Sequence, residues 1–103
     1  MIEQLLKQAI TNCNLVNVTV KSFEKGTIIR VCIPFDIGPS RKYKDGKVRY
    51  HFYDLNSPDG IHNLSILPEQ LTNIEILQDK FDPLNYVTWI PNWFYKRDWG
   101  KCS

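Results

Sequence analysis

The apolar residues of this chain change their spacing once, near residue 12, and that change constrains the fold more than any other feature. Before it, five apolar side chains recur at the spacing of one helical face: Ile2, Leu5, Leu6, Ala9 and Ile10. This spacing predicts a short amphipathic helix over residues 2–11. From Val16 onward apolar residues alternate with polar ones, as they do in half-buried strands. The pattern therefore predicts one N-terminal helix followed by a β-rich domain.

Five short strands are predicted after the helix, at residues 16–20, 27–33, 48–55, 61–67 and 73–77. The first two and the next two should form hairpins, with Pro34 ending the second strand and a long loop over residues 36–46. Pro68 should begin a single 3₁₀ turn before the last strand. Short strands in this order predict a mainly β (α+β) fold, a small five-stranded Sm/SH3-like barrel capped by the helix.

The chain has 103 residues, of which 43% are hydrophobic and 23% charged, and this balance is typical of one soluble globular domain. No apolar run approaches the ~20 residues of a membrane span, and the N-terminal segment lacks the features of a secretory signal. We therefore expect a cytoplasmic protein with no membrane contact. Cys13, Cys32 and Cys102 have no CxxC spacing and are expected to be free thiols, with Cys32 packed in the core and Cys102 exposed.

Five cations lie within nine residues and are opposed only by Asp45: Arg41, Lys42, Lys44, Lys47 and Arg49. This basic segment, residues 41–49, has a net charge of +4, whereas the whole chain has +2. Lys and Arg neutralise phosphates, and Tyr43 and Tyr50 are placed to stack on bases. The five cations and Tyr43 are the predicted nucleic-acid or anion site. The alternative is a solvated loop whose charges protect an edge strand from aggregation.

All three tryptophans lie in the last fifteen residues, and residues 81–103, the aromatic tail, contain seven of the thirteen aromatic residues. We expect a single domain, with a helix and barrel over residues 1–80 and the tail packed on them. Three interpretations stay open: the tail completes the core, forms a self-association surface, or recognises a partner protein. The predicted interaction residues are Trp89, Trp93, Tyr95, Arg97 and Trp99. Arg97 is expected to stack on Trp93 or Trp99.

Four segments occur in a recognisable order: Leu6-Lys-Gln-Ala-Ile10, Arg30-Val-Cys-Ile-Pro34, Tyr50-His-Phe-Tyr53 and residues 74–81. In this order they resemble the WYL domain, an Sm-like barrel of bacterial transcription regulators, over roughly residues 2–85. The resemblance implies a regulatory module that binds a nucleotide or nucleic acid through basic residues on the fourth strand and the following turn. Here residues 63–71 contain no Arg or Lys, and the Trp-Tyr-Leu triplet is absent.

Residue types needed for catalysis are not found in a suitable pattern. The carboxylates show no paired spacing, and there is no phosphate-binding glycine loop or Cys–His arrangement. His51 and His62 are expected to face each other across two strands, but no third metal ligand is evident. We therefore expect no enzymatic activity, no metal and no cofactor. The leading hypothesis is a binding module for a nucleotide or nucleic acid, and the alternative is a protein-interaction or self-assembly module, including a homodimer, that uses the tail.

Overall fold

A computed structural model describes all 103 residues, Met1–Ser103. It contains one helix, α1 (Ile2–Asn12), and five strands: β1 (Asn14–Ser22), β2 (Gly26–Pro39), β3 (Val48–Asp54), β4 (His62–Ile66) and β5 (Leu71–Lys80). The predicted 3₁₀ turn, Pro68–Gln70, precedes β5. The mainly β character predicted from the alternating pattern is confirmed. None of the helices has the length and hydropathy needed to cross a bilayer.

The strands form a single antiparallel sheet in the order β4-β3-β2-β1-β5. Both predicted hairpins, β1–β2 and β3–β4, are confirmed. Strands β4 and β5 are the two edges and do not pair with each other, so the sheet is open and a barrel is not confirmed. Alternate residues of β1 and β3 are buried, which explains the period of two in the sequence.

Strand β2 is longer than predicted, because it continues through Pro34 to Pro39. Strand β1 pairs with β2 only as far as Cys32. Pro34 therefore has no neighbouring strand on that side, and its lack of an N–H group breaks no hydrogen bond of the sheet there. The register with β3 shifts between Pro34 and Asp36, which marks a bulge at Phe35. The predicted loop over residues 36–46 is therefore wrong in its first part, and Asp36 lies within a strand.

The hydrophobic core is one cluster of 19 buried residues from α1, the sheet and the tail. Helix α1 buries Leu6, Ala9 and Ile10, and it contacts β1, β2 and β5. The tail contributes five members: Phe81, Val87, Trp93, Trp99 and Cys102. The aromatic tail therefore lies against the sheet and the helix and shares their core.

Two indole hydrogen bonds attach the end of the tail. Trp99 Nε1 donates to the carbonyl oxygen of Ile10 at 2.8 Å, and Trp93 Nε1 donates to the carbonyl oxygen of Cys102 at 2.7 Å. The second bond holds the final 3₁₀ turn, Gly100–Cys102, against the core, so Cys102 is only 3% exposed. The prediction of an exposed Cys102 is therefore wrong, whereas the prediction of a buried Cys32 is confirmed.

Candidate functional site

The tail is joined to β2 by a buried ion pair between Asp36 and Arg97. Arg97 Nη2 donates to Asp36 Oδ1 at 3.0 Å, and the Arg97 side chain is inaccessible to solvent. The same carboxylate accepts from the backbone N–H groups of Phe94 and Tyr95, each at 2.9 Å. Asp36 therefore binds three residues of the tail: Phe94, Tyr95 and Arg97. The sequence analysis placed Asp36 in a loop, and no pattern in the sequence indicated this role.

The guanidinium of Arg97 lies against two indole rings that also contact each other, 4.1 Å from the Trp93 centroid and 4.5 Å from the Trp99 centroid. The sequence analysis predicted that Arg97 stacks on Trp93 or Trp99, and in the structure it contacts both rings. Arg97 also donates to the carbonyl oxygens of Phe35 and Tyr95. Burial lowers the pKa of Arg97 to about 10, and the neighbouring Asp36 opposes this shift. Arg97 therefore stays charged at neutral pH.

Phe94 crosses β2 directly above Gly38. A Cβ atom added to Gly38 would lie 2.6 Å from the Phe94 ring and 2.7 Å from its Cβ, closer than real Cβ atoms approach. Gly38 has no positive φ, so its backbone is one that alanine adopts readily. The need for glycine here therefore comes from the contact with the tail.

We expect Gly38→Ala to lower the free energy of unfolding by about 1–3 kcal/mol, because the added methyl group must displace the backbone around Phe94. Thermal unfolding and tryptophan emission measure the loss and the exposure of Trp93. Phe94→Gly removes both the clashing ring and the Cβ atom, so in that background Gly38→Ala should cost much less. An equal cost in both backgrounds would contradict a steric origin.

The basic segment and the tail meet across one groove of about 380 Å³. Its walls are residues 40–43 on one side and residues from Trp89 to Phe94 on the other, and its floor comes from β3 and β4. Arg41 joins the two walls, because its Nη2 donates to the carbonyl oxygen of Asn92 at 2.8 Å and its guanidinium lies 4.9 Å from the Phe94 centroid. The structure thus brings two separately predicted sites together on one surface.

Polar side chains form the floor of this groove. His51 Nε2 lies 2.9 Å from the carbonyl oxygen of Gly38, and because a carbonyl only accepts, this nitrogen must donate. In the neutral ring His51 Nδ1 then accepts from the Ser65 hydroxyl, at 2.8 Å. Asn63 also lines the groove and is exposed, and its carboxamide makes no hydrogen bond within the protein. A donor and an acceptor are therefore available to a ligand.

The predicted pairing of His51 with His62 is wrong. Across the β3–β4 ladder His51 lies opposite Ser65, and His62 lies opposite Asp54. The register of the hairpin therefore separates the two rings, and His62 instead bonds to the carbonyl oxygen of Gly60 at 2.9 Å. No cluster of His, Cys, Asp or Glu is arranged to hold a metal ion.

The cations of the basic segment have different partners. Arg49 donates to both carboxylate oxygens of Asp45, at 2.9 and 3.0 Å, and this bond lowers the pKa of Asp45 to about 2. Arg49 also covers the Tyr43 ring at 4.6 Å, so its charge is compensated and its position is held. Lys42, Lys44 and Lys47 are exposed and form no salt bridge. Of these three, Lys42 lines the groove.

The predicted interaction residues of the tail are mostly used inside the protein. Trp93 and Trp99 are buried, and Tyr95 is partly buried with its hydroxyl 3.2 Å from Thr11 Oγ1. Arg97 is enclosed as described above. Trp89 is 48% exposed, although its ring makes edge contacts with Phe35 and Trp93 at 5.8 and 6.1 Å. Among the five, Trp89 alone presents a large part of its ring to a ligand.

Comparison of the chain with protein-family models, curated proteins and solved structures found no match. The chemical character of the groove therefore depends on its own residues. They combine exposed cations, a half-exposed indole and unpaired polar groups in a space of about 380 Å³.

Proposed function

We propose that this protein is a non-catalytic binding module that recognises a nucleotide or single-stranded nucleic acid in the groove between the basic segment and the tail. The observation that carries the proposal is the convergence of Lys42 and Arg41 with Trp89 on one concave surface. Cations that track phosphates beside an aromatic ring that stacks on a base are the usual components of such sites. The volume, about 380 Å³, lies within the ~300–1,000 Å³ of small-ligand clefts.

Trp89 is the expected stacking surface. Phe94 has Arg41 on its ring and Gly38 beneath it, and Tyr43 has Arg49 against its ring. Trp89 has no cation over its ring, so a base can approach it without displacing an existing contact. Stacking of a base on an aromatic side chain stabilises a complex by about 1–3 kcal/mol.

Charge for the phosphates would come from the unpaired lysines. Lys42 at the edge of the groove and Lys44 and Lys47 further along the segment carry no internal ion pair. The charge of Arg49 is neutralised by Asp45, so Arg49 contributes to the shape of the site more than to its charge. The polar groups of Asn63 and Ser65 lie where a base edge could form hydrogen bonds.

The proposal extends to the fold family. We propose a WYL-like domain with an Sm-like barrel, on the basis of the N-terminal helix, the order of the strands and the 3₁₀ turn before β5. The ligand contacts would differ from that resemblance, because β4 offers neutral Asn63 and Ser65 while the cations come from the segment between β2 and β3. A regulatory role would follow from ligand binding in such a module.

We expect Lys42→Glu combined with Lys44→Glu to weaken binding of a fluorescein-labelled oligothymidylate at least ~10-fold in low salt. Each lost phosphate contact should also reduce the slope of log affinity against log salt by about one. Fluorescence anisotropy over a salt series measures both quantities. The intrinsic emission of Trp89 gives a second signal, because Trp93 and Trp99 are buried.

The matched control is Lys21→Glu with Lys101→Glu, since both lysines are exposed, outside the groove and free of salt bridges. This pair changes the net charge equally and should leave the local contacts intact. If the two double variants lose affinity equally, binding reflects net charge and the groove is not the site. If the unchanged protein does not bind the oligothymidylate, the proposal is wrong.

Protein interaction is a second candidate, favoured by an exposed apolar surface on the tail. Ile90 is 95% exposed, the adjacent Trp89 is 48% exposed, and Leu84, six residues before Ile90, is also exposed. Apolar side chains concentrated on one surface often mark an interface. Sedimentation that shows a mass increasing with concentration, and lost in Ile90→Lys, would favour self-association over the nucleic-acid hypothesis.

A further inference from the structure

A second groove of about 310 Å³ adjoins the first one. It lies between the β1–β2 hairpin and the β3–β4 hairpin, and its lining is more apolar than polar. Tyr43 and Ser65 line both grooves, so the two spaces meet along these residues. A ligand that fills the first groove is therefore adjacent to the second one.

Phe23 lines the second groove but not the first, and it is 79% exposed. The turn that carries it is ordered, because Ser22 Oγ accepts from the N–H groups of both Glu24 and Lys25, at 3.2 Å. Ser22 also pairs with Gly26 across the turn. A large aromatic side chain is thus held at the surface by a hydrogen-bonded hairpin.

Tyr43 forms the ridge between the two grooves. Arg49 lies 4.6 Å from its ring centroid and Lys42 Nζ lies 5.5 Å from it, while Asp45 holds Arg49 through two hydrogen bonds. The ring is therefore held in place, yet it remains 47% exposed. Exposed aromatic side chains with no cation over their rings therefore line each groove, Trp89 the first and Phe23 the second, while Tyr43 with Arg49 against its ring lines both.

We infer that the ligand is a single-stranded nucleic acid of several nucleotides that crosses both grooves, and this inference rests on the proposed function. The unpaired lysines of the basic segment favour a polyanion over an apolar peptide. The second groove has Glu24 and the compensated Arg49, so it adds stacking on Phe23 and little net charge. Successive bases stacking on separate aromatic rings along one surface are typical of single-strand binding.

The experiment measures the affinity of the full chain for thymidine monophosphate and for oligothymidylates of increasing length, up to ~12 residues. Affinity should rise with strand length until the strand spans both grooves, at roughly 4 nucleotides or more, and then level off. Phe23→Ala should lower the affinity for the longer strands at least ~5-fold and leave the affinity for the mononucleotide unchanged. The salt slope should increase little from the short strands to the long ones, because the second groove adds few cations.

Ile29→Ala is the matched control, since Ile29 is an exposed apolar residue of the same hairpin that does not line the groove. It should bind strands of every length as the unchanged protein does. If affinity is independent of length and Phe23→Ala has no effect while the Lys42 and Lys44 reversals still weaken binding, the second groove is not used and the inference is wrong. If no strand of any length binds, the proposed function itself fails.

Discussion

Arg97→Ala is expected to lower the free energy of unfolding by about 3–5 kcal/mol, the usual cost of removing one partner from a buried ion pair. The Asp36 carboxylate would remain buried with only backbone N–H donors, and the Trp93 and Trp99 rings would lose the guanidinium that lies against them. Urea unfolding monitored by circular dichroism measures the change. The tail should also loosen, so the tryptophan emission should move to longer wavelength.

Arg97→Lys separates charge from geometry, because lysine keeps a cation but cannot form the fork of hydrogen bonds to Asp36, Phe35 and Tyr95. We expect it to recover only part of the loss. Lys25→Ala removes one partner of the exposed ion pair with Asp59 and should change stability little. An effect of Arg97→Ala no larger than that of Lys25→Ala would show that the tail is not held by the buried pair.

Ending the chain after Lys80 is expected to abolish cooperative unfolding. The truncation removes five members of the core: Phe81, Val87, Trp93, Trp99 and Cys102. Burial of each large apolar side chain contributes about 1.5–3 kcal/mol, and a domain of this size has a net stability of only ~5–15 kcal/mol. Near-ultraviolet circular dichroism and urea unfolding of the truncated chain measure the result.

The control retains the tail and changes only its exposed apolar side chains, as in Leu84→Ser with Ile90→Ser. These substitutions should leave the free energy of unfolding within about 0.5 kcal/mol of its original value. A truncated chain that still unfolds cooperatively, with native near-ultraviolet signals, would identify the tail as an appendage of an independent domain. It would also make Trp93 and Trp99 candidates for contact with a partner protein.

Local pattern was enough to predict the helix, the two hairpins and the 3₁₀ turn. Each depends on residues close together in the sequence: the spacing of Leu6 and Ile10 on a helical face, the alternation through Val16 to Val20, and the position of Pro68. The end of β2 was missed because Pro34 is a strand breaker only where both sides of the strand are paired. Strand β2 can continue through Pro34 because β1 ends before that position, and no local pattern in the sequence shows where β1 ends.

The same distinction separates the candidate residues. The concentration of cations over residues 41–49 and of tryptophans after residue 88 can be read from the sequence. Their meeting at one groove depends on Asp36, Arg97 and Gly38, which lie up to 61 positions apart and act together only after the tail has crossed β2. Composition predicts that Trp89, Trp93 and Trp99 must be covered by something, but only the packed structure determines which rings are buried. Burial depends on contacts between distant segments, and for this reason Trp93 and Trp99 became core while Trp89 remained at the surface.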